Sequence, residues 1–187
     1  MARHARWVTL IRDCEALLIP TGMAFMIPSG TGVEVTQAKG SGITINVNGQ
    51  LARIEAKDAD ALGIDQTELL PENNNIHKIA AGPVNMEEMW EQLKSCYDPE
   101  IPVNIVDLGL IYDCRVESNS DYTQNHVFIT MTLTAPGCGM GPVLVNDVEG
   151  AAWRVKNVTA VTVEMVFDPI WNRDMISEAG KLELGLL

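Results

Sequence analysis

The chain has 187 residues, 47% of them hydrophobic and 5% aromatic, with 25 acidic against 13 basic side chains and a formal net charge of −12. That length admits one medium domain or two small ones with an adequate core. The acidic balance excludes nucleic acid and anionic membrane as partners, because both attract basic surfaces.

Four cysteines, Cys14, Cys96, Cys114 and Cys138, are scattered without a CxxC pair. Such spacing fits neither a disulfide framework nor a closed zinc site, and a reducing cytoplasm is the expected compartment. Ala16 to Val33 carries no charge and follows Arg3, Arg6 and Arg12, which loosely mimics a signal peptide. Asp13 and Glu15 precede it, however, and Pro20, Gly22, Pro28, Ser29 and Gly30 interrupt it, so no membrane span is expected.

The first third reads as short strands. Met23 to Ile27 and Val33 to Gln37 are separated by a Gly-rich turn, and Gly42–Val47 alternates apolar and polar residues before Asn48-Gly49 and a second run to Ala56. Asn-Gly between two such runs is a strong hairpin signal. Asp58 to Leu62 gives about one helical turn before Gly63. Residues 1–63 are therefore expected to form a small antiparallel β-barrel or sandwich. Residues 64–83, with Pro71, the run Asn73-Asn74-Asn75 and His77, read as a linker.

A different pattern occupies 84–187. Asn85, with Glu88 three residues on, matches a capping box, and Met89, Trp90, Leu93, Cys96 and Tyr97 share one helical face. Leu110 to Val116 is strand-like. His126 to Thr134 alternates cleanly, with Val127, Ile129, Met131 and Leu133 on one side. Leu144, Val145, Val148, Ala151, Ala152 and Val155 make an amphipathic helix stripe. Val161, Val163, Met165 and Phe167 alternate as a third strand, and Asp174 to Leu184 suits a last short helix. The order α-β-β-α-β-α implies a compact sandwich with a small mixed sheet, and the fold class of the whole chain is α+β.

Thr134-Ala135-Pro136-Gly137-Cys138-Gly139-Met140-Gly141-Pro142 lies between the second strand and the second helix. Gly137 and Gly139 allow close backbone approach, and Pro142 suits a first helical turn. A cysteine at a helix start favours the thiolate. Cys138 is thus the candidate chemical centre; the competing reading is a tight turn in which a small residue merely fits. A second constellation, Asp98, Glu100 and Asp107, lies in a loop held by Pro99 and Pro102. Its carboxylates could bind metal or a partner's cation, or could simply end a helix (Asp98) and form a turn (Asp107). Cys96 and Cys114 fall at core positions, and Cys14 sits between two acids that disfavour a thiolate. His126 suits a strand end better than a catalytic base. No Gly-rich phosphate loop, HExxH or Ser-His-Asp order is present.

Two stretches carry a family resemblance. Residues Tyr97 to Tyr112, reading Tyr-Asp-Pro-Glu-Ile-Pro-Val-Asn-Ile-Val-Asp-Leu-Gly-Leu-Ile-Tyr, are similar to the signature of a domain shared by the SufT family, cytosolic iron–sulfur targeting factors and PaaD. Met131 to Pro142 resembles the second signature, in which the cysteine is the residue of interest. Ile19-Pro20-Thr21-Gly22, Val35-Thr36-Gln37 and Asp58 to Gly63 resemble the N-terminal region of SufT proteins, from which Ala38 to Gly42 departs. The resemblance implies a non-catalytic iron–sulfur assembly factor of SUF systems. Its partners would be other SUF proteins and client apoproteins. On this reading Cys138 and Asp107 serve as transient metal or cluster ligands. Asp98, Glu100, Thr134, Gly137, Gly139 and Met140 are the supporting loop residues. A transient iron–sulfur cluster is the implied cargo, with no tightly bound cofactor. One strong cysteine supplies a quarter of the usual four-ligand set, so a homodimer, a small thiol or a carboxylate would complete it. Two alternatives stay open at this stage: an adaptor that binds scaffold and client without ligating iron, and an enzyme using Cys138 as nucleophile for acyl or sulfur transfer.

Overall fold

The computed structural model describes residues 6–65 and 81–186. The segment holding Asn73, Asn74, Asn75 and His77 lies outside the described residues. Two compact units emerge. The first comprises the described residues up to 65 together with Pro99–Pro102 and Cys138–Met140; the second comprises the other described residues from 81 onward.

In the first unit six strands, β1 (Arg6–Thr9), β2 (Cys14–Leu18), β3 (Ala24–Ile27), β4 (Gly32–Lys39), β5 (Gly42–Val47) and β6 (Gln50–Glu55), form one antiparallel sheet. Their order is β1-β4-β5-β6-β2-β3. Val47 pairs with Gln50, so Asn48 and Gly49 are the two-residue turn, with φ of 52° and 85° as the tight hairpin requires. Ile43, Ile45, Ala52 and Ile54 are fully buried beside Leu10, Ile27 and Val33. A 3-10 turn, Ala56–Leu62, buries Ala59 and Ala61 and ends on Gly63 in the left-handed region. Arg12 ties it to the β1–β2 turn through Asp58 (2.8 Å) and Asp60 (2.6 Å). The expected barrel or sandwich is thus seen as a six-stranded antiparallel sheet, with no β1–β3 pairing to close it among the described residues.

In the second unit α1 (Met86–Leu93) begins where the Asn85 side-chain oxygen accepts from the Glu87 and Glu88 N–H groups. It ends earlier than its apolar stripe implies, leaving Cys96 buried beyond it. Strands β7 (Ile111–Ser118), β8 (Asn125–Met131) and β9 (Ala160–Met165) follow in the order β7-β8-β9. The first pair is antiparallel and the second parallel, so the sheet is mixed. Helix α2 (Gly141–Trp153) provides the crossover that a parallel pair needs, and buries Leu144, Val148, Ala151 and Ala152. Along β8, Val127, Ile129 and Met131 are buried while His126, Phe128 and Thr130 stay half-exposed, as the alternation requires.

Two sequence expectations fail where the strands stop. Thr132 is fully buried despite its polar parity, because β8 ends at Met131. Phe167 is exposed, because β9 ends at Met165. The last helix is split into a 3-10 turn, Arg173–Met175, and α3 (Glu178–Glu183), each with its own cap, Asn172 and Ser177. Among the described residues no helix is long and apolar enough to cross a membrane.

Candidate functional site

Beyond β8 the Thr132 N–H still bonds the Leu110 carbonyl at 2.9 Å, so the start of the cysteine loop is fixed to the start of β7. Thr134 is half-buried, Gly137 turns the chain at φ 81°, and Met140 is buried. Helix α2 starts at Gly141, which corrects the sequence reading: Cys138 precedes the helix by three residues instead of occupying its first turn. Pro142 does fall in that first turn.

Inside the first unit, Cys138 and Gly139 meet the Ile19–Gly22 turn. The Pro20 carbonyl accepts the Gly139 N–H at 2.9 Å and the Cys138 thiol at 3.8 Å. A Cβ on Gly139 would collide with the Thr21 carbonyl, so glycine there serves a close approach of two backbones. Cys138 is half-exposed.

The other thiols are placed differently. Cys14 and Cys96 are buried, and Cys14 is pushed up by burial and by the Asp58 charge. Cys114 is half-buried on β7, where burial, with Asp113, pushes its thiol up to about 11. Both effects disfavour a reactive thiolate. His126 shares a 2.8 Å hydrogen bond with Thr162 and stacks on Phe128, a surface role on the sheet.

Asp107 sits in the second unit at the centre of a closed hydrogen-bond set. Its Oδ2 accepts from Asn104 Nδ2 at 2.6 Å and its Oδ1 from the Ser177 hydroxyl at 2.7 Å. Its own N–H donates to Asn104 Oδ1 at 2.9 Å, and its carbonyl accepts the Ser177 N–H at 2.9 Å. Ser177 Oγ in turn accepts the Gly180 N–H and caps α3. Next door, the Trp171 indole N–H bonds the Leu108 carbonyl at 2.8 Å. Burial pushes the Asp107 carboxyl up, but the Ser177 and Asn104 hydrogen bonds and the Lys94 charge outweigh it and leave it below the usual range. Sequence reasoning missed Asn104, Ser177 and Trp171. The spacing of Asn104 and Asp107 is that of a local Asn turn, whereas Ser177 lies 70 residues away and leaves no local signal.

Asp98 is buried in the second unit, and Glu100 is exposed in the segment that joins the first. Among the described residues, no three His, Cys, Asp or Glu side chains gather so as to hold a metal ion.

Residues 87–164 match the family model described as iron–sulfur cluster assembly protein. An Fe-S protein maturation auxiliary factor of Porphyromonas gingivalis is 45% identical over 101 residues, covering 54% of this chain and 91% of that protein. The chain belongs to the iron–sulfur cluster assembly protein family. Two further relatives are the Fe-S protein maturation auxiliary factor YitW of Bacillus subtilis and the Fe-S protein maturation auxiliary factor SufT of Staphylococcus aureus. The first is 38% identical, covering 54% of this chain and 93% of that one. The second is 35% identical, covering 48% of this chain and 96% of that one. All three are named as auxiliary factors and none as an enzyme.

The family match includes both the Asp107 loop and the Cys138 segment, and it leaves the first-unit strands and Ser177 outside its span. Within this family core the two loops differ in chemistry. The Asp107 carboxylate already has donors on both oxygens. Cys138 offers a soft sulfur with, among the described residues, a single long hydrogen bond, the ligand type that iron–sulfur clusters favour.

Proposed function

We propose that this protein serves the maturation of iron–sulfur proteins by holding cluster iron briefly through the Cys138 thiolate and passing it to client apoproteins. The observation that carries the reading is the setting of Cys138. It is half-exposed in a glycine-rich loop, while the other thiols lie in strands or the buried interior. A cluster normally takes four ligands, mostly thiolates. A single such sulfur, with no converging third ligand among the described residues, suits a donor, because a closed set of four would not release its cargo. The remaining ligands would come from a second copy, a small thiol, or the SUF protein or client being served. Asp107 enters this proposal as the residue that fixes its loop. The cytoplasm, where thiols stay reduced, is the proposed compartment.

Anaerobic reconstitution with iron and sulfide tests the role of Cys138. Wild type is expected to gain iron, sulfide and visible cluster absorption that Cys138→Ser lacks. Equal iron, sulfide and absorption in both proteins would overturn ligation by Cys138. Turnover of a small acyl or sulfur-transfer substrate by metal-free protein would favour a nucleophilic enzyme instead.

A further inference from the structure

The family model accounts for residues 87–164 and leaves the six-stranded sheet without a task. Yet the segment Cys138–Met140 belongs by its contacts to the same compact unit as that sheet. The contact is specific. Gly22, at φ 70°, lies so close to Gly139 that a Cβ on it would stand 2.5 Å from the Gly139 carbonyl oxygen. On Gly139, a Cβ would collide with Thr21. Both positions therefore require glycine for the two backbones to meet. The turn is braced internally: the Gly22 N–H bonds the Leu18 carbonyl at 2.7 Å, and the Thr21 hydroxyl accepts from the Met23 N–H at 3.4 Å. The outcome is a carbonyl, that of Pro20, aimed at both the Gly139 N–H and the Cys138 sulfur.

We propose that the Ile19–Gly22 turn is a positioning and guarding element for Cys138, holding the thiol against the Pro20 carbonyl until the sulfur takes up iron. This rests on the reading of Cys138 as an iron ligand. The chemistry of the contact gives the guard its sense. A thiol S–H can donate to a carbonyl, whereas a thiolate has no proton to offer and faces the negative end of the carbonyl dipole. When iron binds, the S–H bond breaks, its proton leaves to solvent, and the sulfur electron pair forms the S–Fe bond. Pro20 then loses its sulfur donor but keeps the Gly139 N–H, so the backbone stays in register while the sulfur swings free. Cys138, Pro20 and the glycine pair thus form a latch that releases the sulfur and retains the loop.

The full-length protein tests this by timed iodoacetamide alkylation at one fixed pH, with the modified cysteine identified by peptide mass mapping. In Gly22→Ala the added Cβ pushes the turn off Gly139, and Cys138 is expected to alkylate at least about fivefold faster than in wild type. Gly30→Ala is the control. Gly30 has a similarly left-handed backbone, φ 83°, but a Cβ there meets nothing within 4 Å. It carries the same local strain without the contact, and its Cys138 rate should stay within about twofold of wild type. A Gly22→Ala rate no faster than wild type, or an equal rise in Gly30→Ala, overturns the guard. If Gly22→Ala lacks a native circular dichroism spectrum, Thr21→Ala takes its place. Loss of the Thr21 brace should accelerate labelling about twofold or more, and an unchanged rate refutes the proposal. The reconstitution experiment on Cys138→Ser separates the two claims. Faster labelling in Gly22→Ala with full iron in Cys138→Ser keeps the guard and removes the ligand. Unchanged labelling with iron lost in Cys138→Ser keeps the ligand and removes the guard.

Discussion

The Asp107 loop and the Cys138 segment are the two chemically suggestive stretches of the family core, and they are built in opposite ways. Around Asp107 every polar atom of the residue is engaged: both carboxylate oxygens, the N–H and the carbonyl all bond Asn104 or Ser177. Among the described residues the Cys138 sulfur makes one long hydrogen bond, to a backbone carbonyl, and is half-exposed. A carboxylate in an apolar loop invites a ligand role when read in sequence, and here its four hydrogen bonds also tie its own loop to Asn104 and Ser177. Of the two groups the thiol is the less engaged, and the proposed iron-binding role rests on it.

This contrast predicts that stability and iron handling respond to different residues. The largest stability effect is expected from Asp107→Ala, which removes a charged acceptor and strands its donors, Ser177 and Asn104. Hydrogen bonds to charged groups contribute about 1.5–3 kcal/mol, and urea unfolding should show a loss of about 2–3 kcal/mol. Cys138→Ala should change the same measurement by less than about 0.5 kcal/mol, as surface substitutions usually do. Equal losses in the two variants would erase the distinction.

Ser177→Ala removes one Asp107 partner together with the N-cap of α3. Its expected cost is about 1 kcal/mol. Amide exchange should accelerate locally over Glu178–Glu183, with β8 unaffected. Faster exchange spread evenly over the second unit would mean that Ser177 does more than pin the last helix.

The smallest effect concerns pH. Asp107 is held below its ordinary value of 3.8, so its contribution is complete above that value and fades as pH falls through the lower folded value. Wild type should therefore exceed Asp107→Asn in stability at neutral pH by about 1 kcal/mol, the size of one net hydrogen bond. The gap should close as acid protonates the carboxyl, and a gap that persists unchanged below this range would show that Asp107 acts by shape alone.

What could be read from the sequence follows the range of the interactions. The β5–β6 hairpin was visible because Asn48-Gly49 encodes its own turn, and β8 because Val127, Ile129 and Met131 carry the period-two signal within one strand. Asn85 marked the start of α1 because a cap is a contact over two or three residues. β1 and β2 were not visible, since four and five residues at the margin of a broken apolar stretch give too few repeats to establish a period. Their positions depend on pairings such as Arg6 with Val35 and Leu17 with Arg53. The site divides the same way. Cys138 stands out by its local glycines and prolines. The hydroxyl that bonds the Asp107 carboxylate, Ser177, and the carbonyl that accepts the Cys138 thiol, Pro20, are 70 and 118 residues distant from their partners. No local pattern records such a contact.

The central claim, that the protein acts through the Cys138 sulfur, is tested most directly by complementation. In a strain lacking this protein, the wild-type chain should restore the activity of iron–sulfur enzymes. Cys138→Ala, produced at the same level with an unchanged circular dichroism spectrum, should fail to do so. Full restoration by Cys138→Ala would contradict the account and leave a pure adaptor in its place.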